Sequence, residues 1–254
     1  MFTKAIVRIP GRNFHQGLTT VELGVPHFEL VLAQHAEYCA ALRVCGLNVT
    51  TLEVDLDHPD STFVEDTAVV TPRSAMLTRP GAQSREGEVA AMRPILLRFF
   101  PALTEIEAPG TLDGGDICEA GEHFFLGVSQ RTNEEGARQL AVQLAAAGYT
   151  SEFVDVRGIQ SILHLKSGVS YVGENTLVVI EEMAEMFSGY EQIVVAREEI
   201  YAANCVRVNE RVLVTAGNPR LVSQLRQRGF DPLELDMSEF QKMDGGLSCL
   251  SLRF

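Results

Sequence analysis

Cys249 stands in Asp244-Gly245-Gly246-Leu247-Ser248-Cys249-Leu250-Ser251-Leu252, a glycine-bearing turn that leads into a short predicted strand. A thiol there is a nucleophile once deprotonated. Side chains alternate along a strand, so core positions for Leu250 and Leu252 turn Cys249 toward a cavity. Taken alone, a cysteine so placed is more often a small structural core residue. His164 lies where the apolar Ile162-Leu163 opens into Leu165-Lys166-Ser167-Gly168, again a setting in which a lone histidine is more often a satisfied core residue. Together, however, a thiol and an imidazole supply what covalent acyl-type chemistry needs: a nucleophile and a group to move its protons.

The acidic residues cluster. Asp113-Gly114-Gly115-Asp116 sets two carboxylates around a Gly-Gly pair, whose backbone freedom permits a turn directing both inward. An ordinary turn or a divalent-metal loop reads the same way, although no dense ligand series such as an EF-hand is present. Pro59-Asp60-Ser61-Thr62-Phe63-Val64-Glu65-Asp66 places three more acids beside apolar residues. That mixture suits an alkylated cation. A guanidinium leaving water must be met by carboxylates, and Glu65, Asp66 and Asp113 can meet it. Arg85 and Arg131 precede predicted helices, and arginine can grip a carboxylate in bidentate fashion; as isolated residues they read equally as surface charges.

The elements that must position these groups alternate along the whole chain. Helical spacing is clear over Pro26–Arg43 with Gly46 as a stop, and is expected from Glu86 to Phe100 with a kink at Pro94. Thr132-Asn133-Glu134-Glu135 fits a capping box, and Asn218-Pro219 opens a further helix ending at Gly229. Short strand candidates lie between, several as hairpins such as Cys205–Val208 turning at Asn209-Glu210 into Arg211–Thr215. Hairpins argue against a purely parallel, doubly wound sheet. Strand-pair-plus-helix units recur roughly every 50 residues, the kind of period that marks repetition of one supersecondary unit. No linker or low-complexity tract divides residues 1–254, so a single domain is expected.

With 254 residues, 46% hydrophobic and 22% charged, the composition is that of an ordered globular chain. A net charge of −13 disfavours nucleic-acid binding, which relies on clustered Lys and Arg. Neither a signal-peptide pattern nor a membrane-spanning apolar run is seen, which places the protein in the cytoplasm. Five cysteines (39, 45, 118, 205, 249) without metal-ligand spacing suit a reducing compartment and argue against zinc.

Six motifs occur in order: Phe63-Val64-Glu65-Asp66, Thr78-Arg79-Pro80-Gly81-Ala82, Pro109 to Asp116, Arg131-Thr132-Asn133, Leu163-His164-Leu165-Lys166-Ser167 and Gly245 to Cys249. As a set they resemble the dimethylarginine dimethylaminohydrolase family over almost the full length. The resemblance implies an α/β pentein fold, a five-bladed propeller with pseudo-fivefold symmetry and a central active site. It implies hydrolysis of Nω-methylated L-arginine to citrulline and a methylamine, with no cofactor and no metal. Carried over, Cys249 is the nucleophile, His164 the acid and base, and Asp113 the carboxylate holding His164 and the guanidinium. Some family members carry Glu at the position of Asp113, one methylene longer. Arg85 and Arg131 are implied for the substrate carboxylate, and Asp60 with backbone groups of Leu18 and Met243 for the amino-acid end. Phe63 is implied to pack on the alkyl part, and Gly17-Leu18-Thr19 to act as a lid. A homodimer is likewise implied. The rivals are arginine deiminase, which resembles a longer chain with an inserted helical region, a non-enzymatic pentein binding module, and a cysteine peptidase.

Overall fold

A computed structural model describes all 254 residues. Its fifteen strands form five three-stranded sheets on one plan: an antiparallel pair, then a crossover to a parallel third strand. The first sheet centres on Lys4–Arg8, with Leu252–Arg253 antiparallel on one side and Asn48–Leu52 parallel on the other. Both ends of the chain therefore close one blade. The other sheets centre on Ala75–Leu77, His123–Val128, Thr176–Val179 and Arg211–Thr215. Parallel pairing needs a long return, supplied by helices Phe28–Val44, Glu86–Leu96, Glu134–Ala146 and Pro219–Gln227. In the fourth sheet the return is a 3-10 segment, Glu181–Phe187, in place of an α-helix. The inner strands Ala68–Val70, Ile117–Ala120, Val169–Gly173, Val206–Val208 and Leu252–Arg253 all contribute to the wall of one central cavity of about 350 Å³. This is the expected five-bladed α/β propeller.

Local chemistry explains most boundaries. Helix Phe28–Val44 turns Val31, Tyr38 and Leu42 fully inward and stops where Gly46 adopts a φ of +91°. Burying each such side chain contributes about 1.5–3 kcal/mol. The second helix passes through Pro94 and ends at Leu96, short of Phe100. Thr132 does not cap the third helix: Asn133 does, accepting the Gly136 amide at 2.8 Å, while Glu135 pairs with Arg138 and not with the cap backbone. The hairpin at Asn209-Glu210 is present, with Asn209 at a φ of +56° and Val208 facing Arg211.

Cys249 lies in a turn spanning residues 247–250, and the final strand begins only at Leu252. Strand alternation is therefore not what orients the thiol. Leu247, Leu250 and Leu252 are buried, and they anchor the turn while Cys249 is left half-buried. Phe14, Phe63 and Phe240 pack edge-on at 5.4–6.4 Å between ring centroids beside this turn. Such pairs add about 0.5–1.5 kcal/mol each beyond their burial. No helix is long and apolar enough to cross a membrane.

Candidate active site

Asp113 begins the glycine turn as expected, and its side chain is fully buried. One oxygen accepts the Gly81 amide at 2.9 Å and the other lies 3.0 Å from His164 Nε2. The His164 ring rests on Gly115: a Cβ there would sit 2.8 Å from Nδ1. Glycine is required at 114 as well, where a Cβ would fall 2.0 Å from the Glu65 carbonyl oxygen. The Gly-Gly pair thus brings the acid, the imidazole and the 64–67 turn to van der Waals contact. Burial works against a charged His164, but Asp116, Asp66 and Asp113 outweigh it and raise its pKa to about 9.

The nucleophile loop is tied to the same turn. The Glu65 amide donates to the Cys249 carbonyl at 3.1 Å, and the Gly246 amide donates to Cys249 Sγ at 3.4 Å. Burial, with Glu65 and Asp66 nearby, pushes the thiol up to about 12. At neutral pH the resting pair is therefore thiol and imidazolium.

Cys249 and His164 face one small pocket with Leu18, Asp60, Phe63, Asp66, Arg85, Arg131 and Met243. The structure brings together every sequence-derived site residue except Glu65 and Asp113; Asp113 stands directly behind His164. Asp66 accepts the Gly115 amide at 2.7 Å and Arg85 Nη1 at 2.5 Å. Burial alone would raise the Asp66 carboxyl; Arg85 and His164 hold it below the usual carboxylate range. Arg85 is buried and doubly bonded to Glu88, with further bonds to the Asp60 and Phe63 carbonyls. That leaves one Nη1 hydrogen without a protein partner. Arg131 is freer, its nearest carboxylate being Asp113 at 4.0 Å. Burial raises the Asp60 carboxyl, Arg85 opposing, and its oxygens accept the Leu18 amide at 3.1 and 3.2 Å.

Glu65 is placed elsewhere. Its carboxylate binds Lys166 at 2.6 Å, Arg253 at 3.0 Å and the Ser248 hydroxyl at 2.7 Å, facing the central cavity on the far side of the wall. Its charge and apolar neighbours are local in the chain, whereas the three partners that turn it away are distant. Leu163, Asp244 and Gly245 join the pocket wall without having been singled out for it. Asp244 accepts the Thr20 amide and hydroxyl at 2.5 and 2.9 Å, clasping the loop after Leu18. Under that clasp the pocket encloses only about 30 Å³. Small-molecule pockets are usually about 300–1,000 Å³, so this space is small for an amino acid with the loop clasped. Asp66, Asp113 and His164 set one ligand atom each within 4.8 Å of one another. A protonated imidazole already bonded to Asp113 and a carboxylate already paired with Arg85 suit an organic cation better than a metal.

A protein-family model described as arginine deiminase matches residues 50–197. Among curated proteins, an N(G),N(G)-dimethylarginine dimethylaminohydrolase of Pseudomonas aeruginosa is 44% identical over 100% of both chains. The chain belongs to the dimethylarginine dimethylaminohydrolase family. A Streptomyces coelicolor member of the family is 35% identical over 98% of this chain and 96% of its own. The fold agrees: a cysteine-to-serine mutant of the Pseudomonas aeruginosa dimethylarginine dimethylaminohydrolase, complexed with citrulline, superposes over 100% of both chains with a TM-score of 0.97 at 43% identity. The arginine deiminase match covers the strands of the second, third and fourth sheets, and with them the Asp113 turn and the His164 loop.

Proposed function

We propose that this chain hydrolyses Nω-methyl- and Nω,Nω-dimethyl-L-arginine to L-citrulline and methylamine or dimethylamine. In this reading Cys249 is the nucleophile, His164 the acid and base, and Asp113 its partner. The observation that carries it is the hydrogen-bonded Asp113–His164 pair, with His164 facing Asp66 and Cys249 in one small pocket. Family membership and full-length similarity to a dimethylarginine dimethylaminohydrolase support the substrate class.

The resting protonation states fix the order of events. An imidazolium cannot take the Cys249 proton, and a thiol at about 12 is a poor nucleophile. The substrate guanidinium supplies the missing charge. A cation about 4 Å from the sulfur contributes about 4 kcal/mol at an effective dielectric near 20. By the free-energy equivalent of a pKa change, this lowers the thiol by about three pH units. Asp66 holds the guanidinium from the pocket wall, with Asp113 behind it holding His164, while the thiolate attacks the central carbon. His164 donates its proton to the methylated nitrogen, the C–N bond breaks and a thiouronium remains on Cys249. The neutral imidazole then takes a proton from water, whose oxygen adds to the same carbon; expulsion of the thiolate releases citrulline. The thiol proton leaves to solvent as the thiolate forms, and the hydroxyl proton of the final adduct restores the thiol; no redox step is involved.

At the other end of the substrate, Arg131 and the free Arg85 hydrogen meet the carboxylate. Asp60, with the Leu18 and Met243 backbone, meets the amino group, and Phe63 covers the methylenes. Glu65 supports the Cys249 loop in this reading and does not touch the guanidinium. The unit is one catalytic domain over residues 1–254. Cytoplasmic residence is supported by five unpaired cysteines. A homodimer completes the reading, and sedimentation at micromolar concentration tests it. The activity itself is tested by citrulline release from dimethylarginine, methylarginine and arginine; preference for arginine moves the chain to the deiminases.

A further inference from the structure

Asp116 does not line the pocket, yet its carboxylate is fully buried and both oxygens are engaged, by three donors from two segments. Oδ1 accepts the Leu165 amide at 2.9 Å, the first peptide after His164. Oδ2 accepts the Ser129 hydroxyl at 2.7 Å and the Thr132 hydroxyl at 2.6 Å. Those hydroxyls are themselves acceptors: Ser129 Oγ takes the amides of Arg131 and Thr132, at 2.9 and 3.1 Å. Thr132 Oγ1 takes the Asp113 amide at 3.0 Å. One carboxylate thus joins the histidine loop, the Arg131 turn and the backbone of Asp113. A buried anion is costly, and a neutral side chain would fill the same space.

We propose that Asp116 is a positioning residue for the reaction, fixing the His164 ring against Asp113 and completing the anionic cage around it. The proposal rests on the roles assigned above to His164 and Asp113. The charged groups facing His164 are Asp113 and Asp116 from the glycine turn, Asp66 from the 64–67 turn, and Cys249 across the pocket. Arg85 and Arg131 stand behind those carboxylates, and Lys166 on the histidine loop is paired with Glu65. Of these anions, Asp116 is the one that neither hydrogen-bonds the ring nor lines the pocket. Burial raises its own carboxyl, and His164 and the hydroxyl donors oppose that rise.

The test is Asp116→Asn, which keeps the Oδ1 acceptor and the shape but removes the charge. The His164 imidazole is titrated by NMR in the full-length protein, its signal assigned by loss in His164→Asn. The expected result is a titration midpoint lower by about one pH unit, with Asp113 and Asp66 retaining the remainder of the elevation. The alkaline limb of kcat moves down with it, and kcat falls by about 10- to 100-fold while KM changes little. An unmoved midpoint, or a lower kcat at every pH with the limb in place, overturns the proposal and leaves Asp116 as a structural tie. Thr132→Val cuts the bridge to Asp113 and keeps the charge; it is expected to lower kcat about tenfold without moving the midpoint. Wild-type activity in that variant overturns the positioning half, including where Asp116→Asn does not fold. The NMR titration is independent of turnover. Failure of the proposed reaction, seen as no citrulline release by the wild type, is therefore told apart from failure of this inference.

Discussion

Gly115→Ala is the sharpest single perturbation of the site. A Cβ at 115 would lie 2.8 Å from His164 Nδ1, 2.9 Å from its Cγ and 3.0 Å from Asp66 Oδ1. Ordinary contact begins near 3.4 Å, so the imidazole must withdraw by about 0.6 Å. Its Nε2 meets Asp113 at 3.0 Å, so a shift of that size takes the ring out of the position in which that bond is made. A displacement of about 1 Å in a catalytic group can cost about a hundredfold. The expected outcome is a kcat lowered about 10- to 100-fold with KM within about threefold, because Asp60, Arg131 and Leu18 are untouched. Steady-state kinetics with dimethylarginine, beside a thermal melt to confirm folding, reads it. A folded Gly115→Ala protein with wild-type kcat refutes the claim that the glycine seats the histidine.

The same geometry sets four more expectations. Because the His164 pKa is raised from 6.5 to about 9, kcat declines as pH rises through about 9 and not near 6.5; a pH profile with its alkaline limb near 6.5 contradicts this. The same shift makes charged His164 a source of stability that is complete below about pH 6.5 and lost as pH rises through about 9, visible in melts of wild type against His164→Asn. Arg85→Ala leaves Asp66 and Glu88 buried without their cation, an expected loss of about 3–5 kcal/mol in denaturant unfolding; a change under about 1 kcal/mol would show the cluster to be dispensable. With Cys249 pushed up to about 12, iodoacetamide at pH 7.5 should alkylate it far more slowly than a free thiol of pKa about 8.5, and a guanidine-bearing analogue should accelerate the reaction.

What could be read from the residue order was chemistry carried by short contiguous motifs. Asp113 with its glycines, His164 and the terminal cysteine turn are each local, and the roughly 50-residue recurrence corresponds to blades closed by Leu252–Arg253 on Lys4–Arg8. What could not be read depends on partners distant in sequence. Glu65 looks like a guanidinium ligand until Lys166, Ser248 and Arg253, between 101 and 188 residues away, turn it to the central cavity. Thr132 mimics a capping residue, but its hydroxyl is taken by Asp116. Ile117–Ala120 carries no alternation, since Cys118 and Glu119 interrupt it, and pairing with His123–Leu126 is what makes it a strand. Pro232 argues against a strand at Asp231–Leu235, but the outer position of this segment in the fifth sheet tolerates the missing donor.

The central claim is that Cys249 forms a covalent bond to the guanidinium carbon of a methylated arginine. The direct measurement is rapid acid quench of the wild-type protein with dimethylarginine, followed by intact mass, with Cys249→Ser alongside and citrulline assayed in parallel. The account predicts an adduct of the substrate less dimethylamine, mapped to the peptide containing Cys249, with neither adduct nor citrulline from the serine variant. Citrulline formation by Cys249→Ser at a rate near wild type would contradict it.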